Sequence, residues 1–463
     1  MSKTIEVKSP YNEETIKTIT LASASEVDNA LLTAKKTFKD KASYLSKKER
    51  IEILTKLANI MEQRKEDLTQ IALLEGGKPY KDSLVEVERA IEGVKLGINA
   101  FHENSGTEIP MELSKSSESR FAFTSREPIG IVVSLSAFNH PLNLVVHQTI
   151  PAIVAGCPVI IKPALTTPLS CLNFVELLYE AGLPKQWCQA IVCSNEEAEK
   201  LATSKDTAYL SFIGSAKVGW YLRSKVSSGT RCGLEHGGVG PVIVDKSADI
   251  QSMIPLITRG AFYHAGQVCV SVQRVFIHED IFQEVSESLI KRASTLKVGD
   301  PKDKDTEVGP LILPREVKRI SSWVEEAREA GAKIALGGKE LSKTTYAPTI
   351  ILNPPIDAKV STQEIFGPVV CLYSFNDADK AIEQANSLPY SFQASIFSKD
   401  INKAITYSNK IDAAAVMIND HCAYRVDWMP FGGRKDSGLG VGGIAYSVHE
   451  MSEEKLRVIK YTQ

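Results

Sequence analysis

The sequence has no surplus of charge of either sign. Its 463 residues include 54 Lys and Arg against 56 Asp and Glu, a formal net charge of −2. A chain without a positive field has no general attraction for nucleic acid or for an anionic membrane. The composition therefore favours a small-molecule partner, recognised by a few placed residues.

Long hydrophobic runs are also absent. The most apolar stretch, 150–161, is about 12 residues long and is interrupted by Pro151, Gly156 and Pro158, whereas a membrane-spanning helix needs about 20 apolar residues. The opening MSKTIEVKSP has no apolar segment of the kind that marks a secretory signal. We therefore expect a cytoplasmic protein without a transmembrane segment.

The cysteines show no pattern that predicts a disulfide framework or a metal site. In a chain of this length without a secretory signal, most cysteines should be reduced, buried and apolar in character. One of them could be a nucleophile. None forms a CxxC pair, and they are scattered at Cys157, Cys171, Cys188, Cys193, Cys232, Cys269, Cys371 and Cys422.

The sequence does contain a clear alternation of apolar strands and amphipathic helices. The first 105 or so residues read as helical and charged, with helices over 46–66 and 83–103. Strands that are apolar throughout and alternate with helices predict a parallel sheet covered on both faces. The strands of this first series are predicted at 130–136, 158–163, 189–193 and 208–214, and its helices at 142–155, 168–181, 195–203 and 215–227.

A second α/β series follows the first. Two consecutive series predict two α/β domains with a ligand cleft between them. The residues 110–126 and the C-terminal strand 455–462 fit neither series, and as isolated strands they could pair with another chain. Strands of the second series are predicted at 241–245, 272–278, 347–352, 369–375, 393–397 and 414–418, and helices at 251–264 and 281–295.

Two glycine patterns invite comparison with phosphate-binding loops. Gly214 and Gly219 lie in FIGSAKVG, which follows a predicted strand and opens a helix, so helix N–H groups could meet a pyrophosphate there. A formal GxGxxG begins at Gly438 but lacks the preceding strand that the dinucleotide fingerprint requires. We interpret the second pattern as a backbone turn.

Six segments read together resemble the aldehyde dehydrogenase superfamily, in that family's order and from about residue 10 to the end. Glu235 and Cys269 stand 34 residues apart, which matches the family's spacing between base and nucleophile. The segments are FNHPLN (138–143), KPALTTP (162–168), LEHGG (234–238), GQVCVS (266–271), EIFGPV (364–369) and MPFGGRKDSGLG (429–440).

The resemblance implies an α/β fold of two α/β domains with a small β oligomerisation element. The expected Rossmann-like cofactor-binding domain covers 1–110 and 129–236, and the expected catalytic domain covers 237–434. The oligomerisation element would combine 111–128 and 435–463. The resemblance also implies a homodimer or a homotetramer.

The resemblance assigns three catalytic roles that suit the chemistry. The Cys269 thiolate would attack the aldehyde, and the thiohemiacetal would lose hydride to give a thioester. The Asn139 amide and the Cys269 backbone N–H would stabilise the oxyanion, and Glu235 would activate the hydrolytic water. Taken singly, the three residues could instead be a core cysteine, a turn residue and a surface ion-pair partner.

The resemblance further implies NAD or NADP as cofactor. Many NAD-preferring relatives carry Glu three residues after the lysine; here the position is Leu165, which removes repulsion against a 2′-phosphate and leaves NADP use open. His236 stands where Leu is usual, and it could perturb the base or merely pack. The implied cofactor-binding residues are Ser136, Ala137, Phe138, Lys162, Ala164, Leu165, Phe212, Gly214, Ser215, Val218, His236, Gly237, Glu364 and Phe366.

The subgroup motifs resemble relatives that act on lactaldehyde, phosphonoacetaldehyde or similar small polar aldehydes. Arg89, His140 and Arg425 are candidates for binding a hydroxylated or acidic substrate head, with Arg120 as a further candidate. Val268 stands where the phosphonoacetaldehyde group has Arg, which argues against a phosphonate.

Alternatives remain open at this point. A CoA-acylating aldehyde dehydrogenase or a non-phosphorylating glyceraldehyde-3-phosphate dehydrogenase would share the motifs. A catalytically silent binding protein, or a thiol hydrolase that pairs Cys269 with His264, would come from other classes.

Overall fold

The computed structural model describes residues 3–462. Its helices alternate with short strands from residue 130 onward, as the apolar patterning predicts. The helices are α1 (Ala24–Lys39), α2 (Lys47–Gln63), α3 (Lys65–Gly76), α4 (Tyr80–Glu103), α5 (Asn143–Ala155), α6 (Leu169–Glu180), α7 (Asn195–Thr203), α8 (Ala216–Lys225), α9 (Ile250–Phe262), α10 (Glu279–Ser294), α11 (Pro314–Glu329), α12 (Lys359–Thr362), α13 (Ala378–Asn386), α14 (Ile401–Lys410) and α15 (Ile444–Glu450).

The strands are short, and those at the centre of the two large sheets are largely buried on both faces. They are β1 (Thr4–Lys8), β2 (Thr15–Thr20), β3 (Glu108–Ile109), β4 (Arg120–Pro128), β5 (Ile131–Leu135), β6 (Val159–Lys162), β7 (Cys188–Ala190), β8 (Thr207–Ile213), β9 (Arg231–Glu235), β10 (Pro241–Val244), β11 (Arg274–His278), β12 (Lys333–Leu336), β13 (Thr349–Leu352), β14 (Val369–Phe375), β15 (Tyr390–Ser391), β16 (Gln393–Phe397), β17 (Ala415–Ile418), β18 (Arg434–Lys435), β19 (Gly438–Leu439) and β20 (Ser452–Lys460).

Two mixed sheets organise the chain, and each is parallel apart from one edge strand. The first has the order β19-β9-β8-β5-β6-β7, and the second has the order β12-β13-β14-β11-β10-β16-β17. The antiparallel edges are β19 and β12. The α/β class predicted from the alternating pattern is therefore confirmed.

Helices cover both sheets because their apolar residues recur at helical spacing. Helices α2, α4, α5 and α6 form the apolar layer on one face of the first sheet, while α1, α7 and α8 cover its other face. The second sheet has its own core. Within residues 3–462, no helix combines the length and the apolar character that crossing a membrane requires.

The N-terminal region differs from the prediction of a wholly helical start. β1 and β2 form an antiparallel hairpin before the first helix. The predicted helix 46–66 ends at Gln63, and a second helix begins at Lys65, because Arg64 departs from helical geometry with φ −106° and ψ 22°. Charged residues on both strands of the hairpin conceal its short apolar alternation.

The two strand signals that fitted neither series pair with each other. β20 runs antiparallel to β4 through nine residue pairs, from Ser452 with Pro128 to Lys460 with Arg120. Residues 120–128 form a single strand, and β3 pairs antiparallel with it through Glu108 with Phe123 and Ile109 with Ala122. The residues before β20 join the first sheet instead: β19 pairs with β9, and α15 packs against α4 and α5. The proposed domain boundaries stay a prediction.

A buried carboxylate on α4 ties the N-terminal helices to the start of α5. Glu86 of α4 accepts hydrogen bonds from the N–H groups of Leu142 and Asn143 at 2.9 and 3.1 Å. Its second oxygen meets the Lys78 ammonium at 2.5 Å, and both side chains are essentially inaccessible to solvent. The carboxylate thereby satisfies free N–H groups at the start of α5.

Replacing Glu86 with Ala should lower the free energy of unfolding by about 3–5 kcal/mol, because Lys78 would remain as a buried, unpaired charge. Thermal and urea denaturation measure the loss. Glu88→Ala on the same helix is the matched control, since Glu88 is half exposed and forms only a surface ion pair with Lys65; its change should stay within about 0.5 kcal/mol. Equal effects of the two substitutions would contradict the assignment.

Candidate active site

The carboxyl ends of the first sheet's parallel strands carry most of the predicted site residues. Ser136, Ala137, Phe138 and Asn139 follow β5, and Lys162 ends β6. The Gly214 turn follows β8 and Glu235 ends β9. Parallel strands place their carboxyl ends at one edge of a sheet, where ligands of α/β proteins bind. Residues that are distant in sequence therefore gather at this edge.

A turn in the left-handed backbone conformation precedes Cys269 and brings it to the same edge of the first sheet. His264, Ala265 and Gly266 adopt φ values of 48°, 53° and 71° in succession, a conformation that costs non-glycine residues energy. A Cβ on Gly266 would lie 2.1 Å from the Gly367 carbonyl oxygen, so the chain passes too close for a side chain. The turn is followed directly by the 267–271 loop that carries the cysteine.

Gln267 anchors this loop to the segment that precedes α11. Its amide nitrogen donates to the carbonyl groups of His264 and Pro310 at 3.3 and 3.2 Å. Its amide oxygen accepts from the Ile312 N–H at 2.9 Å. Three buried hydrogen bonds therefore hold the residue two positions before Cys269. Sequence reasoning missed this role because two of the partners, Pro310 and Ile312, lie 43 and 45 positions away.

Cys269 differs from the other seven cysteines in being partly accessible. All eight lie within the described residues, and the seven others are buried. Burial and the carboxylates of Glu235 and Glu364 together raise the pKa of the Cys269 thiol to about 12, while Arg425 opposes them. The thiol is therefore protonated at rest and lies close to two acids and one cation.

Asn139 lies beside the nucleophile loop. Its side-chain amide donates to the Gln267 carbonyl at 2.9 Å, which fixes the amide orientation and leaves the second amide N–H for another acceptor. The Cys269 backbone N–H donates to no other residue in the described part of the chain. Two N–H donors thus lie beside the sulfur atom without competing partners.

The Glu235 side chain lies directly against Gly442. A Cβ on Gly442 would lie 2.2 Å from the Glu235 Oε1 atom, so only glycine leaves room for the carboxylate in this position. Burial raises the pKa of Glu235, and the nearby Arg425 guanidinium acts in the opposite direction. A carboxylate with a raised pKa is suited to accept a proton.

Several predicted cofactor residues line one groove. Lys162 is buried, and its ammonium makes no hydrogen bond or ion pair with another residue among 3–462; burial lowers its pKa. Phe138 and Phe366 meet edge to face with centroids 5.8 Å apart. The Ser136 hydroxyl is buried without a partner in the described chain. Because buried polar groups normally have hydrogen-bond partners, we expect the Lys162 ammonium and the Ser136 hydroxyl to bind a polar ligand.

Glu364 is a second buried carboxylate in this groove. Its Oε1 atom has no hydrogen-bond partner among the described residues. A Cβ on Gly237 would lie 1.5 Å from that oxygen, so the chain at Gly237 forms a cradle for the carboxylate. Burial raises the pKa of Glu364 to about 8. The unpaired oxygen can accept a hydrogen bond from a ligand hydroxyl.

His236 packs beneath α8 instead of facing the substrate. Its Nδ1 atom bonds the Gly214 carbonyl at 3.1 Å, and Phe212 and Trp220 contact the ring edge to face. A Cβ on Gly219 would lie 1.9 Å from the ring. Burial lowers the pKa of His236, so the neutral ring donates through Nδ1. His236 therefore supports the Gly214 turn.

The remaining predicted cofactor residues lie in the loops around this groove. Ser215 is exposed at the N-terminus of α8 and its hydroxyl does not cap the helix. Ala164 and Leu165 follow β6 in a partly buried turn. The Phe212 side chain is buried and Val218 is 45% exposed on the first turn of α8. Where these residues would meet a cofactor stays a prediction.

The three predicted substrate residues lie within electrostatic reach of one another, but only the two arginines share a partner. Arg89 and Arg425 both approach Asp427: Arg89 at 2.7 and 2.8 Å, and Arg425 at 3.4 Å. His140 instead lies 3.3 Å from the Tyr263 hydroxyl. Burial and neighbouring cations hold the pKa of His140 far below its ordinary value, so it is neutral. Arg120 lies in β4 and donates to the Glu118 carbonyl.

Arg425 is the cation that faces the nucleophile. It acts on the pKa values of both Glu235 and Cys269, and its guanidinium lies 3.6 Å from the centre of the Phe431 ring. Its side chain is 10% exposed. Sequence reasoning missed Asp427 and His147, the polar residues that hold this cation, although Asp427 stands only two positions after Arg425.

Comparison with known proteins gives consistent results. The model of the Aldehyde dehydrogenase family matches residues 1–456. The 3-sulfolactaldehyde dehydrogenase of Priestia aryabhattai is 38% identical over 98% of this chain and 94% of its own.

Solved structures agree with the sequence match. Aldehyde dehydrogenase 21 from Physcomitrella patens, in complex with the reaction product succinate, is 34% identical with a TM-score of 0.96 over 99% of this chain and 95% of its own. Glyceraldehyde-3-phosphate dehydrogenase GapN from Methanocaldococcus jannaschii, complexed with NADP, is 35% identical with a TM-score of 0.94 over 100% of both chains. The chain belongs to the aldehyde dehydrogenase family and is an oxidoreductase that acts on aldehydes.

Proposed function

We propose that the protein oxidises a small polar aldehyde, with a hydroxylated or acidic head, to the carboxylic acid with NAD or NADP. The observation that carries the proposal is the position of Cys269, the one cysteine that solvent reaches, beside Glu235, Glu364 and Arg425. The reaction would proceed through a thiohemiacetal and a thioester on Cys269, with Glu235 as the base.

The first step requires removal of the thiol proton. Because the pKa of Cys269 lies near 12, spontaneous ionisation at neutral pH is negligible, and Glu235 is the adjacent group whose raised pKa fits it to take the proton. The sulfur then attacks the carbonyl carbon. The Asn139 amide and the Cys269 backbone N–H would donate to the developing oxyanion.

The groove residues fit a nicotinamide dinucleotide. The unpaired Lys162 ammonium suits an anionic or hydroxyl group of the adenosine half, and the unpaired Glu364 oxygen suits a ribose hydroxyl. The α8 N-terminus, after the Gly214 turn, presents free N–H groups suited to a pyrophosphate. When bound, the cofactor accepts the hydride that the thiohemiacetal releases.

Glu235 would act a second time, in hydrolysis. The thioester carbonyl needs an attacking water, and a carboxylate with a pKa raised by burial can accept the water's proton at neutral pH. Collapse of the adduct releases the acid and restores the thiol. Water therefore competes with any other acceptor, such as CoA, at this step.

An acidic head on the substrate is supported by the charge around Arg425. This guanidinium is largely buried, and its Nε atom meets Asp427 Oδ1 at 3.4 Å without forming a hydrogen bond, so an anionic oxygen could add to its compensation. The similar proteins named above carry sulfonate, succinate and phosphate compounds in their names or complexes. We infer a short aldehyde of this kind.

Replacing Cys269 with Ala should abolish aldehyde oxidation, by at least about 10³-fold, because no other accessible thiol replaces it. NADPH fluorescence should show that cofactor binding persists. Cys371→Ala, which removes a buried thiol from the core of the second sheet, should retain activity.

Glu235→Gln separates the two roles of the base in the same assay. If Glu235 deprotonates Cys269 as proposed, the variant should lose the first turnover as well as steady-state activity. A burst of one reduced cofactor per site, followed by slow turnover, would instead limit the carboxylate to hydrolysis. Acyl-CoA as the main product of the wild type, in place of the free acid, would contradict hydrolysis and favour the CoA-acylating alternative.

Arg425→Gln tests the substrate head. We expect kcat/KM for succinic semialdehyde and 3-sulfolactaldehyde to fall by about 100-fold, because truncating one partner of a buried ion pair costs about 2–5 kcal/mol, while neutral lactaldehyde loses much less. Arg434→Gln, on the exposed β18 strand, is the control. A uniform loss across charged and neutral aldehydes, or a wild-type preference for long aliphatic aldehydes, would contradict the assignment.

We further propose that the protein assembles as a homodimer or homotetramer through the sheet formed by β3, β4 and β20. β20 is an edge strand of this sheet, and its side chains Leu456, Val458 and Ile459 are about half exposed. An apolar, unpaired edge favours pairing with another chain.

The double substitution Leu456→Asp and Val458→Asp should shift the protein toward monomer, because each copy would bury charge in the contact. Analytical ultracentrifugation measures the change. Leu341→Asp, an equally exposed apolar position outside this sheet, should leave the sedimentation coefficient unchanged. A monomeric wild type would exclude the proposed assembly.

A further inference from the structure

We propose that Asp427 sets the charge preference of the substrate pocket. Asp427 binds Arg89 through both carboxylate oxygens and approaches Arg425 only at 3.4 Å, so these side chains keep one positive charge in excess and the pocket favours an aldehyde head with one negative charge over a head with two. This inference rests on the function proposed above, because it assumes that the head lies at Arg425.

Asp427 and Arg89 form an ion pair with two hydrogen bonds. The Nε and Nη2 atoms of Arg89 donate to the two carboxylate oxygens at 2.8 and 2.7 Å. This two-point geometry is the strongest that an arginine forms with a carboxylate. The Asp427 side chain is 2% exposed, so solvent screens the pair little. Most of the positive charge of Arg89 is thus compensated within the protein.

Asp427 also orients Arg425 through a histidine. The His147 Nε2 atom lies 2.9 Å from the Asp427 Oδ1 atom. Since burial lowers the pKa of His147, the ring is neutral and Nε2 donates. The Nδ1 lone pair then faces the Arg425 Nη2 atom at 3.5 Å. The carboxylate therefore fixes the tautomer of His147 and, through it, the position of the second guanidinium.

The formal charges of this cluster sum to one. Arg89 and Arg425 contribute two positive charges, Asp427 one negative charge, and His147 none. His140, on the neighbouring loop, is neutral as well, and Lys78 is compensated by Glu86. Glu235, the other acid that faces Arg425, adds negative charge when it is ionised. Every neighbour therefore disfavours a second negative charge on the head.

The acidic heads of short aldehydes differ in how much negative charge they carry at neutral pH. A sulfonate or a carboxylate carries one negative charge at neutral pH. A phosphate ester carries about −1.5 to −2, because its second pKa is about 6. A pocket with one free cation compensates the first kind completely and leaves the second kind with an excess charge in a poorly solvated site.

Three 2-hydroxy aldehydes with the same three-carbon skeleton provide the probes: lactaldehyde with a neutral end, 3-sulfolactaldehyde with one charge, and glyceraldehyde 3-phosphate with about two. We would measure kcat/KM for each with wild type, Asp427→Asn, Arg89→Gln and the double variant. The net charge of the cluster is then +1 in the wild type, +2 in Asp427→Asn, 0 in Arg89→Gln and +1 in the double variant.

Asp427→Asn should raise the ratio of kcat/KM for the phosphate over the sulfonate by about tenfold, since Arg89 becomes available as a second cation. Arg89→Gln should lower kcat/KM for both charged aldehydes by about tenfold relative to lactaldehyde, because Asp427 then compensates Arg425. The double variant should return the ratios to the wild-type values, because its net charge is again +1.

A purely structural role predicts no such rescue. A phosphate-to-sulfonate ratio that Asp427→Asn leaves unchanged, or a double variant at least as impaired as the single ones, would overturn the inference. If Asp427→Asn does not fold, Arg89→Gln alone still tests the charge argument, because an unchanged preference for charged heads would contradict it. Asp245→Asn, a buried aspartate paired with Lys403 in the second sheet, controls for the loss of a buried carboxylate.

The wild-type kinetics distinguish a failure of the proposed acidic substrate head from a failure of the role assigned to Asp427. Equal kcat/KM values for all three aldehydes in the wild type would contradict the proposed acidic head. A wild-type preference for charged heads that does not respond to the charge of the cluster would contradict the role of Asp427 alone. Melting temperature and NADPH binding confirm in each variant that the protein is folded.

Discussion

The Cys269 thiol is partly accessible but poorly solvated, and it lies near two carboxylates. The rest of the site is arranged around this constraint. Burial, Glu235 and Glu364 together raise the pKa of the thiol, so a proton acceptor must lie beside it if the sulfur is to react. Arg425 is the one cation that opposes the two acids on the pKa of Cys269. The same residue can therefore serve both the electrostatics of the nucleophile and the recognition of an acidic substrate.

Buried charges in this protein divide into two groups. Lys78 with Glu86, and Arg89 with Asp427, are compensated inside the protein at hydrogen-bonding distance. They hold helices and loops in place without calling for a ligand. Lys162 and the Oε1 atom of Glu364 have no such partner among the described residues. Since an uncompensated buried group is costly, these are the groups expected to meet a bound molecule.

The close approach of other atoms explains several glycines near the candidate site without any role for them in chemistry. Gly442 and Gly237 leave space for the carboxylates of Glu235 and Glu364, while Gly266 lets the nucleophile loop pass beside Gly367. A side chain at any of these positions would displace a catalytic or cofactor-facing group. Function at this site is therefore encoded partly in residues that carry no functional group.

From the sequence alone, the α/β class and most strand and helix positions beyond residue 130 could be predicted, and the structure confirms them. Local periodicity holds this information, because it depends on neighbours within a few positions. Short motifs nominate Cys269, Glu235 and Asn139, and their catalytic roles stay a prediction. The resemblance anticipated that the 111–128 segment and the C-terminal strand combine, whereas the N-terminal hairpin and β9 escaped prediction because their alternation is polar. Which charges compensate one another depends on contacts between distant residues, and the fold alone settles it. Arg89 appears in the sequence as a free candidate for an anion, and a carboxylate 338 positions away takes that role within the fold.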